Sequence, residues 1–135
     1  MPFMSRKGLL AIAAVIDVAV NAGIRPVSAK ALAARHKLPP RHLEPVLQAL
    51  VRDGILRGVR GPHGGYALGR ERKRISAADI LRAAGTVNED CEEIVGSYLV
   101  DTVVKPAIAP AEGEFSAALD RINVAEMAAH AKADK

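Results

Sequence analysis

The stretch from Arg57 to Leu68 constrains the fold most, because it has the composition of a tight β-hairpin. Two short apolar runs, Ile55-Leu56 and Tyr66-Ala67-Leu68, flank a turn that holds three glycines and a proline. Strand formers on either side of residues that permit turn dihedrals are typical of a hairpin. The tip carries Arg60 and His63 in place of apolar side chains. A thin cationic tip suits a narrow, negatively charged groove, whereas a lone glycine-rich turn is more often an ordinary solvated hairpin.

The segment before the hairpin decides between these interpretations. Ser28 is placed to cap a short helix from Ala29 to His36, and the run 37–40 contains two prolines that make a turn. A second helix, predicted from Arg41 to Asp53, has apolar residues at helical spacing. Two short helices and then a hairpin predict a winged helix-turn-helix, whose second helix enters the DNA major groove while the wing reaches an adjacent groove.

The remaining elements of this part of the chain are also predicted to be helical. The apolar stripe from Ser5 to Ala22 predicts a first helix, and Val27 is expected to add a strand to the small sheet. The charged run Arg70–Arg74 is interpreted as a solvated loop. Ser76 and Asp79 form a capping-box pattern that starts a helix ending at Gly85. The predicted fold class is therefore mainly α with a small β-hairpin wing.

Charge divides the chain into two parts. Residues 1–82 hold 15 Lys and Arg against 5 Asp and Glu, whereas residues 83–135 hold 4 against 10. A basic first part indicates a surface for nucleic acid. The single cysteine, Cys91, excludes an internal disulfide framework, and no apolar stretch approaches a membrane span. These features predict a cytoplasmic protein that binds no membrane.

The acidic second part suggests a separate module. We place a domain boundary after residue 86, with a winged helix-turn-helix domain at 1–86 and an acidic loop plus a helical dimerisation arm at 87–135. The arm is expected to be kinked or interrupted at Pro106, Pro110 and Gly113. Asn123 with Glu126 is a second capping-box pattern, which starts a terminal helix. An apolar stripe on an arm needs a partner, so we expect a homodimer through Ile94, Tyr98, Leu99, Val103, Phe115 and Leu119.

Three runs resemble the Rrf-two family of bacterial transcription regulators, which includes the iron–sulfur assembly regulator and the nitric-oxide-sensing repressor. They are Leu-Pro-Pro-Arg-His-Leu-Glu-Pro-Val-Leu from residue 38, Leu-Val-Arg-Asp-Gly-Ile-Leu from residue 50 and Val-Arg-Gly-Pro-His-Gly-Gly-Tyr from residue 59. The segment 119–127 also looks like the end of that family's dimerisation helix. The resemblance implies a DNA-binding surface made by Ser28 at a phosphate, by Arg41, His42 and Glu44 toward bases, and by the wing residues Arg60, Gly61, Pro62, His63, Gly64, Gly65 and Tyr66.

Two features depart from the family pattern. Cluster-binding members carry three cysteines after the position of Gly85, but this chain has only Cys91. A cluster needs more thiolates than one subunit offers, so we expect no iron–sulfur cluster, no metal site and no other cofactor. Pro45 lies inside the recognition helix, where a proline removes a backbone donor and can bend the helix.

The sequence contains no arrangement that predicts catalysis. It has no nucleophile paired with a base, no phosphate-binding loop and no metal-ligand spacing, so we expect no enzyme activity. The function that the residues favour is a sequence-specific DNA-binding transcriptional regulator, a repressor, acting as a homodimer. The alternative is a winged-helix module that binds a protein partner without specific DNA binding. The effector that such a regulator senses is left open.

Overall fold

The helices and strands follow the predicted order. The computed structural model describes residues 4–23, 25–85 and 97–131. The main elements are α1 (Arg6–Asn21), α2 (Ala29–His36), α3 (Pro40–Arg52), β1 (Leu56–Val59), β2 (Gly65–Leu68), α4 (Ala77–Ala84), α5 (Lys105–Arg121) and α6 (Val124–His130). A 3-10 turn, Arg72–Arg74, precedes α4, and a π-helical segment, Val100–Val104, leads directly into α5. The mainly helical fold with one hairpin agrees with the prediction.

Local capping explains where the helices begin. The Ser5 hydroxyl accepts a hydrogen bond from the Gly8 N–H at 3.0 Å, and Ser28 accepts one from the Ala31 N–H at the same distance. The predicted box at Ser76 and Asp79 is complete, because each side chain bonds the backbone N–H of the other residue. Each of these bonds satisfies a donor that the first turn of a helix leaves unpaired.

One apolar core lies beneath α1, α3, α4 and the base of the hairpin. Its fully buried larger side chains are Val15, Val18, Leu32, Leu43, Leu47, Leu50, Ile55, Leu56, Ile75, Ile80 and Val124. Val124 lies in the part of the chain that the sequence assigned to the separate arm. Val124 and Ala128 of α6 are buried in it, and α6 packs on α1. The end of the chain therefore contributes to the core of the winged domain.

The sheet is a two-stranded antiparallel hairpin with one added bridge. β1 and β2 pair in register from Leu56 opposite Leu68 to Val59 opposite Gly65. The predicted extra strand at Val27 is confirmed as a single bridge to Tyr66 on the free edge of β2. This bridge connects the residue before α2 to the wing, so the helix pair and the hairpin are held together by backbone hydrogen bonds.

The charged run after the hairpin is not simply a solvated loop, which corrects the prediction for Arg70–Arg74. Arg70 donates to the carbonyl of Asp53 at 3.0 Å and lies 3.7 Å from the Asp79 carboxylate. Arg72 donates to the carbonyl of Ala19 near the end of α1. Two cations of this run therefore attach it to the domain.

The arm is helical throughout its described part, from residue 98 to residue 121. The arm is not interrupted at Pro106, Pro110 or Gly113, since Lys105–Arg121 is one continuous helix, and a kink at these residues stays a prediction. A five-residue π-helical segment ends at Val104, two residues before Pro106, and the N–H of Lys105 donates to the carbonyl of Val100. A proline ring crowds the carbonyl of the preceding turn, and the wider π turn relieves that crowding without ending the helix.

The predicted arm residues are exposed in this single chain. The exposed fractions of Tyr98, Leu99, Val103 and Phe115 are 79%, 66%, 54% and 40%. Leu119 is half-buried. Ile94 and Cys91 lie outside the described residues. Among the helices that the structure describes, none is long and apolar enough to cross a membrane.

Candidate nucleic-acid interface

Helix α3 separates its apolar and polar side chains onto opposite faces. Leu43, Val46, Leu47 and Leu50 are buried against the core. The predicted base-contacting residues Arg41, His42 and Glu44 are exposed. Because the helix is anchored along its whole apolar side, its first turn presents these polar groups to solvent at a fixed angle. That is the geometry that a helix needs to place its N-terminal residues against base edges.

Pro45 does not break this helix. Pro40–Arg52 is one continuous element with Pro45 on its exposed side. The missing N–H of Pro45 costs the bond to the carbonyl of Arg41, four residues earlier. Both residues are exposed, so water can satisfy that carbonyl. Pro45 therefore does not end the recognition helix.

One further residue of α3 was missed by sequence reasoning. Gln48 is exposed and lies one turn after Glu44, on the same side as Arg41. A glutamine amide can donate and accept at once, which allows a bidentate contact with adenine in the major groove. The i to i+4 spacing from Glu44 was the signal that could have identified it.

The wing tip is a tight glycine-dependent turn. The N–H of Gly64 donates to the carbonyl of Gly61 at 2.9 Å. Gly61 has a φ of +121°, a backbone conformation that residues with a side chain rarely adopt. A Cβ on Gly64 would lie 2.4 Å from the carbonyl oxygen of Val59. Arg60, Pro62 and His63 are exposed around this turn. The glycines therefore make the tip narrow and leave its polar side chains free of packing.

The base of the wing is held against the start of α2. Val27 and Tyr66 exchange backbone hydrogen bonds of 2.9 and 2.7 Å. Gly65 is required there, because a Cβ at that position would lie 2.4 Å from the carbonyl oxygen of Val27. Ser28, the N-cap of α2, follows directly. The structure thus brings the predicted phosphate contact, Ser28, next to the base of the wing.

Tyr66 has a different position from the other predicted wing residues. Its side chain is half-buried and packs against the apolar core, away from the exposed tip. In this structure Tyr66 therefore anchors the hairpin to the domain. A contact of Tyr66 with DNA stays a prediction.

The positive charges of the interface are not neutralised by neighbouring carboxylates. Among the described residues, neither Arg41 nor Arg60 forms an ion pair or a side-chain hydrogen bond. Their guanidinium groups keep all their donors for a partner. A guanidinium can bind phosphate, a guanine edge or a narrow minor groove.

The side chains that could bind iron are scattered in the described part of the chain. In the described part of the chain no three His, Cys, Asp or Glu side chains are grouped where they could hold a metal ion. The whole sequence contains a single cysteine, and a cluster held by cysteine thiolates requires four ligands. Two subunits would supply two thiolates. One cysteine per chain therefore offers too few thiolates for a cluster held by cysteine ligands alone.

Comparison with known proteins gives a consistent family. The sequence matches the Rrf2 family, described as iron-dependent transcriptional regulators, over residues 4–130. An HTH-type transcriptional regulator of Haemophilus influenzae is 39% identical over 87 residues, which cover 64% of this chain and 56% of that protein. The HTH-type regulator CymR of Bacillus subtilis is 35% identical over 79 residues, 58% of this chain and 57% of that protein. The chain thus spans about half the length of the curated relatives it matches.

Solved structures are similar to this chain over a larger share of its length than the sequence relatives are. The structure of B. subtilis CymR, described as its global cysteine regulator, is similar with a TM-score of 0.74 and 27% identity. The similarity covers 98% of this chain and 100% of that chain. IscR of T. potens gives a TM-score of 0.72 at 32% identity, over 91% of this chain and 83% of the other. The similarity thus includes the arm as well as the winged domain.

Proposed function

Because the chain belongs to the Rrf2 family of transcriptional regulators, we propose that it is a sequence-specific DNA-binding repressor. One observation carries the proposal: an anchored recognition helix and a narrow cationic wing project unpaired polar groups from a single core. Arg41, His42, Glu44 and Gln48 would address base edges in the major groove. Arg60 at the wing would enter the adjacent minor groove, and Ser28 with the first N–H groups of α2 would meet a phosphate.

The proposed active form is a homodimer. Several large apolar side chains of the arm are exposed in the single chain, and Val104 and Ile108, each about half exposed, extend the predicted stripe. Burying such side chains contributes about 1.5–3 kcal/mol each, so a second copy would stabilise the arm strongly. A two-fold dimer would place two recognition helices about one helical turn of DNA apart.

The proposed function includes neither an iron–sulfur cluster nor a catalytic activity. Two observations support this proposal: one cysteine supplies too few thiolates for a cluster, and the family is described by a role in transcription regulation. We place the protein in the cytoplasm, where DNA is accessible and where a single thiol is kept reduced.

The test is selection of binding sites from random DNA duplexes with the full chain, followed by measurement of affinity against salt concentration. We expect a palindromic site with half-sites about 10 base pairs apart and a steep loss of affinity as salt rises. No enrichment of any sequence would contradict the proposal. Salt-insensitive binding to a protein with no binding to DNA would favour the alternative, a winged-helix protein-interaction module.

A further inference from the structure

A cleft of about 420 Å³ lies between the C-terminal end of α1 and the hairpin. Its lining includes the partly exposed apolar side chains of Ala22, Pro26, Val59 and Leu68, whereas Val18 and Ala19 of α1 are buried. Pockets that hold small molecules have this order of volume. The cleft is lined by none of the residues that we assign to base or phosphate contacts.

Three arginines line the same cleft. Arg25 comes from the connector after α1, Arg57 from β1 and Arg72 from the 3-10 turn. No aspartate or glutamate lines it. Within the described ranges, Arg25 and Arg57 have no ion pair or side-chain hydrogen bond. Arg72 is held at the cleft by its bond to the Ala19 carbonyl, which leaves its remaining donors available. Three cations around one cleft repel one another, and an anion bound between them would offset that repulsion.

We propose that this cleft is a binding site for a small organic anion, a carboxylate or phosphate group attached to an apolar body. The guanidinium groups match the planar oxygens of such an anion and can bind them bidentately. The partly exposed apolar side chains favour an organic anion over a bare inorganic ion, because they contribute affinity only when the ligand has carbon to bury.

The direct test is an NMR titration of backbone amides in the full chain with phenyl phosphate, which joins a phosphate to an apolar ring. We expect saturable shifts at residues 18–23 and 57–59, and weaker binding of inorganic phosphate by about tenfold or more. Benzamide, which has the ring without the charge, should cause no saturable shift. The proposal would be overturned if phenyl phosphate caused no chemical-shift change at these amides, or if it bound no more tightly than inorganic phosphate.

Variants separate the cleft from general positive charge. Arg57→Gln should weaken phenyl phosphate binding by about tenfold, since it removes one charge-assisted contact. Arg74→Gln, an equal charge loss at an exposed residue outside the cleft, should leave it unchanged. Equal losses in the two variants would contradict a defined site.

A final experiment distinguishes a small anion from a DNA phosphate in the cleft. If Arg57 contacts the duplex backbone, Arg57→Gln should lower the slope of log affinity against log salt by about one. We expect an unchanged slope, and a lowered slope would reassign the cleft to DNA. The phenyl phosphate titration uses no DNA, so the ligand site and the proposed DNA-binding function can fail separately.

Discussion

The Arg35 guanidinium of α2 donates hydrogen bonds to the Asp17 carboxylate of α1, with 2.7 Å from Nη2 to Oδ1 and 2.9 Å from Nε to Oδ2. Asn21 donates to the same carboxylate at 3.1 Å, and the Nε2 of His36 lies 3.0 Å from it. The Asp17 side chain is only 6% exposed. This network holds α2, the first helix of the helix-turn-helix pair, against α1. Removing one partner of a buried ion pair is destabilising, because the other charge is left buried without compensation.

We expect Asp17→Asn to lower the free energy of unfolding by about 2–3 kcal/mol at neutral pH, because the Arg35 charge loses its counter-ion while remaining partly buried. Urea unfolding of the variant beside the natural protein measures the difference. Asp101→Asn removes a carboxylate from an exposed pair with Lys105 and serves as the control. Asp101→Asn should lower the free energy of unfolding by less than about 1 kcal/mol. A cost for Asp17→Asn no larger than the control would mean that the network contributes nothing to stability.

The same network predicts a pH dependence. Burial raises the pKa of Asp17, but the hydrogen bonds and charge of Arg35, with Asn21 and His36, outweigh it and hold the pKa below its usual value. A carboxyl whose folded pKa is lowered stabilises the protein fully above its unfolded pKa, near about 4, and this stabilisation is lost as pH falls through the folded value. The difference in stability between the natural protein and Asp17→Asn should therefore shrink in acid. A constant difference down to the lowest pH would contradict this assignment.

Arg60→Ala should weaken binding to the selected duplex by about 1–3 kcal/mol if its guanidinium enters the minor groove. The loss should be largest at sites with A·T pairs under the wing, where the groove is narrow. Competition binding at fixed salt measures it. Arg74→Ala is the control, because Arg74 is exposed and makes no described side-chain contact. Equal losses in the two variants would indicate a diffuse basic surface.

Gly65→Ala should disturb the wing, because the added Cβ would lie within 3 Å of three backbone atoms of Val27 and Ser28. We expect a loss of about 1–3 kcal/mol in the free energy of unfolding and weaker DNA binding, as the hairpin moves away from α2. Gly58→Ala, on the paired strand, meets no atom within 4 Å and should be tolerated. If both variants behave alike, the contact between the wing base and Val27 is unimportant.

Leu99→Asp should shift the protein toward monomer and abolish binding to paired half-sites. Leu99 is 66% exposed in the single chain, so the substitution leaves the core of the winged domain intact. Sedimentation measures the oligomeric state. Lys105→Asp adds a carboxylate at an already charged position of the arm and should cost only a few tenths of a kcal/mol without dissociation. A Leu99→Asp protein that stays dimeric and binds DNA would place the subunit interface on another surface.

Protein purified without oxygen should be colourless and free of stoichiometric iron, because one cysteine per chain leaves a cluster without enough thiolates. Absorption spectra and metal analysis of the full chain give the answer. A brown preparation with equal amounts of iron and sulfide would show that Cys91 is a ligand and that ligands come from beyond one chain's thiolates.

Local signals in the sequence predicted most individual elements. Ser28, Ser76 and Gly85 mark helix ends through short-range hydrogen bonds and a left-handed backbone, and these depend on residues only a few positions away. The hairpin could be located for the same reason, since its turn is encoded by adjacent glycines. The buried face of α3 followed from apolar spacing, whereas Arg41, His42 and Glu44 came from the family resemblance and Gln48 was missed.

Contacts between distant residues were decided only by the tertiary structure. Val124 and Ala128 complete a core whose other members lie far earlier in the chain, and Arg72 contacts Ala19 across 53 positions. The helix that continues through Pro106 depends on a π turn placed just before it. The sequence by itself determined which segments are helix, strand or turn, because those preferences are local. Which apolar faces meet, and which arginines surround one cleft, was decided by packing in three dimensions, because burial rewards contacts regardless of their separation along the chain.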